Sequence, residues 1–390
     1  MSIEQITPYL NEMRAFRHDI HQYPELGFEE TRTSGIVAQA LRDWGYEVET
    51  GIGKTGVVGR LRNGSGSKSI GLRADMDALP IEEKSGALWQ SKKLGMMHAC
   101  GHDGHTAMLL GAAHYLADTR NFSGTLNVIF QPAEEGLGGA VAMMKDGLFD
   151  RYPCDAIFGM HNMPGIPQGH VVFRKGAFMA SSDYVTVTLR GAGGHGALPH
   201  KTTDSIVAAS AIVMAVQTIV SRNTDPLDMS VITVGAIHGG EANNVIPDEV
   251  RLELSVRSLS PSTRAMLEQR LREVIELQAR SYGVTANIKY RHGYPVLINH
   301  DQETEFATQV AGAVLDASRI TAEGKPLSGS EDFAYMLERV PGAYFLVGNG
   351  DGEGSCMVHN PAYDFNDNIL QTGAGLFVQL AERYLPVDAH

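Results

Sequence analysis

Residues 98–106 (HACGHDGHT) bring three imidazoles, one thiol and one carboxylate into a single short stretch that contains two glycines. Glycine allows tight turns, so neighbouring side chains can be directed at one point. A thiolate from Cys100 and an imidazole from His102 suit zinc or a similar divalent transition metal better than magnesium or calcium. The stretch therefore predicts a metal site, and a chain that uses it must fold so that further ligands reach it. The alternative is a polar loop whose histidines cap a helix over residues 106–116.

Further candidate ligands follow predicted strands. They are, in chain order, Asp75 and Asp77 after residues 69–73, Glu134 and Glu135 after residues 125–130, and His161 after residues 155–160. Each alone would fit a turn, a solvated loop or a structural histidine. In an open α/β sheet, however, the carboxyl ends of the strands line the ligand crevice, so these side chains are expected to converge. His359, after a glycine-rich loop, is the most plausible distant ligand.

The paired carboxylates can divide their roles. Neighbours on an extended segment point in different directions, so one of Glu134 and Glu135 can ligate a metal while the other faces the substrate as a proton carrier. Asp75 and Asp77 can either bind metal or orient a ligand histidine from behind.

Composition limits the class of protein. With 390 residues, 43% of them hydrophobic, the chain can bury a large core in two domains. The net charge of −13 without a basic stripe argues against a nucleic-acid partner. Three cysteines and no apparent signal region predict a cytoplasmic protein. The longest apolar run, residues 206–220, is shorter than the ~20 residues of a membrane span, which argues against a membrane partner.

The pattern of strands and helices changes near residue 178. Residues 184–290 read β-α-β-β-α-β, the order of a ferredoxin-like unit, after which the first pattern resumes. We therefore expect an α/β protein with a discontinuous catalytic metal-binding domain, 1–178 plus 293–390, and an inserted α+β domain, 179–292. A predicted helix over residues 203–221 is apolar almost all round, which indicates a subunit interface.

Seven spaced motifs carry a resemblance to a known family. They are residues 73–80, 97–106, 131–136, 194–197, 244–247, 329–333 and 359–360. Together they resemble the hippurate hydrolase and N-acyl-L-amino-acid amidohydrolase branch of the dinuclear aminoacylase/carboxypeptidase metallopeptidases, over nearly the whole chain. The resemblance implies a mixed-sheet dinuclear metallopeptidase domain with an inserted ferredoxin-like lid and dimerisation domain.

The resemblance also implies roles for individual residues. The implied ligands of two divalent ions (zinc, manganese, nickel or cobalt) are Cys100, His102, Glu135, His161 and His359. Glu134 would be the general acid/base, and His195 would reach a dimer mate's active site to stabilise the oxyanion. Asn244 and Arg257 would hold the substrate's carboxylate. The wider clan's His-x-Asp motif reads Asp75-Met76-Asp77 here, so Asp77 is taken to orient a ligand and the role of Asp75 stays open.

The implied reaction is hydrolysis of an N-acyl-L-amino acid to a carboxylate and a free amino acid by a cytoplasmic homodimer or higher homo-oligomer. The alternatives are an N-acetyl-diaminopimelate deacetylase, a carboxypeptidase or dipeptidase of the same family, and a metal-bearing binding protein without catalysis. The sequence leaves the preferred acyl group and amino acid open.

Overall fold

A computed structural model describes residues 3–352 and 355–387. The remaining residues of the predicted catalytic domain, 1–2, 353–354 and 388–390, lie outside the described residues. The strands, in chain order, are β1 (Glu47–Ile52), β2 (Gly56–Asn63), β3 (Ser69–Asp75), β4 (Gly124–Gln131), β5 (Ala156–Pro164), β6 (Val171–Val172), β7 (Gly176–Met179), β8 (Asp183–Arg190), β9 (Gly194–His195), β10 (Ser230–His238), β11 (Val245–Ile246), β12 (Glu249–Ser258), β13 (Thr285–His292), β14 (Leu297–Asn299), β15 (Ile320–Thr321) and β16 (Gly342–Gly350). The α-helices are α1 (Leu10–Gln22), α2 (Thr31–Asp43), α3 (His102–Thr119), α4 (Gly139–Lys145), α5 (Leu148–Arg151), α6 (Ser205–Asn223), α7 (Pro261–Ser281), α8 (Asp301–Gly312), α9 (Phe333–Leu337) and α10 (Leu370–Tyr384).

The chain forms two compact units. The first comprises the described residues up to 176, 298–325 and those from 332 onward, and the second comprises 177–297 and 326–331. Residues 326–331 join the second unit because Leu327 pairs with its first strand: the Leu327 amide donates to Phe178 O at 2.8 Å, and the Ala180 amide donates to Leu327 O at 3.1 Å.

The first unit is built on an eight-stranded mixed sheet with the order β1-β2-β4-β3-β5-β16-β6-β15. The four central strands β4, β3, β5 and β16 are parallel to their neighbours within that group, so their carboxyl ends lie at one edge. Apolar side chains of these strands, such as Leu72 and Phe158, belong to one buried cluster with Leu109 of α3 and Phe377 of α10. The sheet thereby brings the residues that follow β3 and β4 to the same edge, which confirms the predicted mixed α/β class.

Buried ion pairs fix the first turn of α3 against α1. The guanidinium of Arg17, fully buried, lies 3.3 Å from Asp103 and 2.9 Å from Asp364. Asp103 also accepts a hydrogen bond from His21 at 2.8 Å. Since buried charges are tolerated only when they are paired and hydrogen-bonded, this network holds α3, and with it His102, in one place.

The second unit contains a four-stranded antiparallel sheet with the order β10-β12-β8-β13. Counted within the unit, the order is 2-3-1-4, which is the ferredoxin-like arrangement with α6 and α7 as its two helices. The Ser260 side chain caps α7 by accepting from the Thr263 amide, and Pro261 occupies its first turn, as the sequence predicts.

Helix α6 is apolar at most positions from Ile206 to Val220 and ends in a polar turn, residues 221–223. Ile212, Val216 and Ile219 are buried in the core of the second unit, whereas Val207 and Met214 are exposed. By length and composition α6 could span a membrane, but the core helix of a protein without any membrane contact meets the same two criteria. Its burial pattern is that of a helix packed on its own sheet with one apolar side left open.

Three predicted boundaries were wrong. Helix α3 begins at His102 instead of residue 106, because Gly101 adopts the left-handed conformation (φ 86°) that ends the preceding loop. His161 lies inside β5 instead of at its end. The sequence pattern also predicts a helix over roughly residues 302–318, whereas α8 ends at Gly312, because nothing in the apolar spacing marks this stop.

Candidate metal centre

The loop that carries Cys100 is held from behind by buried amides and hydroxyls. Asn162 Nδ2 donates to the Cys100 carbonyl at 2.7 Å, and Tyr363 Oη donates to Asn162 Oδ1 at 2.7 Å. A side chain at position 101 would meet both groups, since a Cβ there would lie 2.4 Å from Asn162 Nδ2 and 2.5 Å from Tyr363 Oη. Gly101 is therefore required both for its backbone conformation and for this close approach.

Two imidazoles turn their Nε2 atoms toward one region. His102 Nδ1 donates to the Asp77 carbonyl at 2.9 Å and approaches Asp77 Oδ1 at 3.2 Å. His161 Nδ1 donates to the Asn162 carbonyl, and its Nε2 lies 3.3 Å from Cys100 Sγ. Hydrogen bonding at Nδ1 orients each ring so that Nε2 can ligate a metal once it carries no proton, which is the arrangement that a metal-binding histidine needs.

The two glutamates lie in a turn and not on the extended segment that the sequence predicted. The Gly136 amide donates to the Glu134 carbonyl at 2.7 Å, which closes the turn. The Glu135 amide donates to Asp77 Oδ2 at 2.9 Å. As a result both carboxylates face the same region, and their oxygens and a ring nitrogen of His102 lie within 4.8 Å of one another.

His359 reaches the same region from a distant loop. Its φ of 65° is in the left-handed region, and its amide donates to the Ala99 carbonyl at 2.7 Å, which ties the loop to that of Cys100. His359 Nε2 lies 3.2 Å from Glu135 Oε1. The structure thus brings the five sequence-predicted ligands together in overlapping groups, namely Cys100–His102–His161 and Cys100–Glu135–His359.

The electrostatics of this donor set fit cations. Burial and the carboxylates of Glu135 and Glu134 raise the pKa of the Cys100 thiol well above its usual value. Burial lowers the pKa of His161 to about 3, which keeps the ring neutral and able to ligate. Burial also lowers the pKa of His102, but Asp75 and Asp77 outweigh it and raise that pKa to about 10. Burying several carboxylates and a thiol together costs free energy unless a cation compensates their negative charge. Metal binding would release protons from Cys100 and His102, because a metal ligand must be deprotonated.

One buried nitrogen supports the same interpretation. His102 Nε2 is shielded from solvent and makes no hydrogen bond to any residue in the described part of the chain. Buried polar atoms are almost always satisfied, so an atom of this kind beside a thiol and carboxylates indicates a ligand position.

Asp75, whose role the sequence left open, is buried next to His102, with its Oδ2 3.8 Å from His102 Nε2. Its Oδ1 accepts from His105 Nδ1 at 2.6 Å, and its Oδ2 accepts from Arg73 Nη1 at 2.8 Å. His105 Nε2 in turn accepts from the Asn162 amide at 2.9 Å, so both ring nitrogens are already used. Sequence reasoning missed Arg73 in β3 and Asn162 in β5 as supports, because a single arginine or asparagine within a strand carries no spacing signal.

Asp77 connects two of the candidate ligands, and its substitution tests their arrangement. The two Asp77 oxygens face the N–H groups of His102 and Glu135, and Asp77→Asn replaces one of these oxygens by an NH2 group, which cannot accept a hydrogen bond. We expect the affinity for Zn²⁺ or Mn²⁺ to fall about 10–100-fold, measured by competition with a chelating dye. Asp43→Asn, an exposed position on α2, is the control. An unchanged metal affinity in Asp77→Asn would remove this aspartate from the site.

The remaining predicted residues belong to the second unit. His195 in β9 pairs with Val245 of β11, which places it beside Asn244, and both His195 and Asn244 are exposed. Arg257, near the end of β12, donates from Nη1 to the Ser328 carbonyl at 3.0 Å. Within this unit the structure brings His195 of β9 close to Asn244, which immediately precedes the paired strand β11.

Comparisons with known proteins agree with this description. Hippurate hydrolase from Campylobacter jejuni is 45% identical over 383 residues, covering 98% of this chain and 99% of the relative. N-acetyl-L-cysteine deacetylase from Bacillus subtilis is 40% identical over 370 residues, covering 95% and 87%. The crystal structure of a dinuclear metal-binding peptidase of the M20 family from Bacillus subtilis superposes with a TM-score of 0.84 at 31% identity, covering 97% of this chain and 99% of that one.

The family model for peptidase family M20/M25/M40 matches residues 71–383, a span that begins inside β3 and includes the candidate metal centre and the entire second unit. The chain therefore belongs to the peptidase family M20/M25/M40.

Proposed function

We propose that this protein is a metal-dependent amidohydrolase that cleaves the amide bond of N-acyl-L-amino acids, either hippurate-like or N-acetylated. The observation that carries the proposal is the group of thiol, imidazole and carboxylate atoms around Cys100, with Glu134 beside it. Similarity to a hippurate hydrolase and an N-acetyl-L-cysteine deacetylase supports the substrate class.

In this proposal five side chains hold two divalent cations, which are zinc, manganese, nickel or cobalt. These side chains are Cys100, His102, Glu135, His161 and His359. When bound there, the cations would lower the pKa of water and polarise the amide carbonyl.

Glu134 is proposed to move the proton. It is only 6% exposed, so its carboxylate acts in a region from which bulk water is largely excluded. It would take the proton of the attacking water and pass it to the leaving amine, as a general acid/base does. Its neighbour Glu135 is held through its own amide by Asp77, so the two carboxylates can carry different roles although they lie in one turn.

The proposal extends to the second unit as a lid and dimerisation domain, close to the predicted 179–292. His195 would donate to the oxyanion in the site of a second copy, where preorganised donors contribute most to catalysis. Asn244 and Arg257 would hold the substrate's carboxylate, since amide and guanidinium groups donate well to such oxygens.

A homodimer is proposed because α6 leaves an apolar side open. Val207 is 47% exposed and Met214 is 72% exposed, and β10 beside α6 is an edge strand of its sheet. A second copy would cover both features. The three cysteines are unpaired, which is consistent with the reducing cytoplasm that we propose as its location.

A substrate panel tests the proposed reaction. We expect kcat/KM to be highest for hippurate or N-acetyl-amino acids and to vanish when a chelator removes the metal. Faster hydrolysis of dipeptides would favour a carboxypeptidase or dipeptidase, and a preference for N-acetyl-diaminopimelate would favour the corresponding deacetylase. No amide hydrolysis by metal-loaded protein across the whole panel would instead indicate a binding protein.

A further inference from the structure

The residue immediately before Glu134 has an unusual backbone. Ala133 is fully buried and adopts a φ of 51°, in the left-handed region that residues with a Cβ rarely occupy. A residue of this kind keeps its conformation only when its surroundings impose it. Because Glu134 is the next residue, whatever imposes this conformation also decides where the Glu134 carboxylate points.

The surrounding structure holds Ala133 on both sides. Glu30 Oε1 accepts a hydrogen bond from the Ala133 amide at 2.8 Å. On the other side the Gly139 amide donates to the Ala133 carbonyl at 3.0 Å. Gly27 packs so closely that a Cβ there would lie 3.0 Å from Cα and Cβ of Ala133.

Glu30 is itself fully buried and well supported. Its second oxygen accepts from the hydroxyl of Thr55, so both carboxylate oxygens have a donor. Burial raises the pKa of Glu30, while the hydrogen bonds from the Thr55 hydroxyl and the Ala133 amide act in the opposite direction because they stabilise the carboxylate. These two donors fix the Glu30 side chain against the strained peptide.

Capping of the adjacent helix does not explain Glu30. It occupies the N-cap position of α2, yet its side chain makes no cap hydrogen bond. That role belongs to Glu25, whose carboxylate accepts from the amides of Arg32 at 2.9 Å and Thr33 at 2.8 Å. The two buried glutamates of this segment thus have different partners: Glu25 caps helix α2, and Glu30 binds the Ala133 amide at the start of the turn that carries Glu134.

We propose that Glu30 is a positioning residue that fixes the left-handed Ala133 peptide and thereby aims the Glu134 carboxylate. This inference rests on the proposed function, in which Glu134 carries the proton. The Glu135 amide is held separately by Asp77, so loss of Glu30 would disturb the proton carrier more than the metal ligand.

The test is kinetic and includes a rescue. We expect Glu30→Ala to lower kcat for hippurate about 10–100-fold, as small misplacements of a reacting group do, with KM and bound metal unchanged. Adding Ala133→Gly should restore much of kcat, because glycine adopts a positive φ without strain. Glu30→Gln keeps an acceptor oxygen and should lose less, about threefold. Should Glu30→Ala fail to fold, Glu30→Gln with and without Ala133→Gly supplies the same comparison.

The control is Glu25→Ala, which should lower the melting temperature without changing kcat. Hydrogen–deuterium exchange of the segment 131–139 gives a readout that needs no activity: Glu30→Ala should increase exchange there, and Glu25→Ala should not. A wild-type kcat in Glu30→Ala, unchanged exchange, or an equal loss in Glu25→Ala would overturn the inference. If wild-type protein hydrolyses no N-acyl amino acid, the proposed function fails, and the exchange experiment alone decides the role of Glu30.

Discussion

Glu134→Gln is expected to lower kcat for N-acyl amino acids by about 10²–10⁴-fold, the range that a positioned general acid/base contributes. The carboxamide has nearly the same shape as the carboxylate, but it cannot accept the proton of water and return it to the amine. The five candidate ligands stay in place, so bound metal should remain at the wild-type level. Steady-state kinetics together with elemental analysis of the purified variant measure both quantities.

A matched control substitution separates the loss of the proton carrier from any general effect of a Glu→Gln change on kcat. Glu29→Gln makes the same chemical change at an exposed glutamate of the same unit, and we expect wild-type kcat there. If Glu134→Gln stayed within severalfold of wild type, the proton would have to be carried by another group.

Cys100→Ala is expected to cause the second large loss. Cys100 Sγ is the one atom shared by the Cys100–His102–His161 and Cys100–Glu135–His359 groups. Its removal should reduce bound metal below the wild-type stoichiometry and lower kcat/KM more than about 100-fold. This loss exceeds the about 10–100-fold loss that is typical when a residue hydrogen-bonded to a metal ligand is altered.

Thermal unfolding distinguishes a lost ligand from a damaged fold. In metal-free protein the thiol is neutral, because burial and Glu135 raise its pKa, so the alanine variant should melt close to wild type. Added Zn²⁺ should stabilise wild type and stabilise the variant far less, since a ligand raises stability only to the extent that it binds the folded state. Cys154→Ala is the control, and a Cys100→Ala protein with full metal content would exclude the thiol as a ligand.

The convergence of the donors could be predicted because it follows from sheet topology. Parallel strands bring the residues after β3 and β4 to one edge, and Asp77 and Glu135 follow these two strands. The motif around Cys100 needed only local spacing, and the ferredoxin-like topology of the second unit could be predicted from the β-α-β-β-α-β order of its elements.

The local geometry of the site could not be predicted in the same way. The turn at Glu134 depends on the left-handed Ala133, and alanine gives no sign in a sequence that its φ will be positive. Glu30 accepts a hydrogen bond from Ala133, which lies 103 residues further along the chain. Asn162 donates to Cys100, which lies 62 residues earlier in the chain. Single long-range hydrogen bonds of this kind have no periodicity for a sequence pattern to reveal.

The boundary between the two units also depends on long-range hydrogen bonds that a sequence pattern does not reveal. The sequence pattern assigned residues 326–331 to the catalytic domain by continuity along the chain. In the structure they belong with the second unit, because main-chain hydrogen bonds of Leu327 add them to the segment around Phe178.

The central claim is that side chains around Cys100 hold a pair of cations on which amide hydrolysis depends. The most direct measurement is a titration of rigorously demetallated protein with Zn²⁺ or Mn²⁺ while hippurate turnover and bound metal are recorded together. We expect no turnover without metal and a rise to a plateau at two bound ions per chain. Full turnover in the metal-free protein would contradict it.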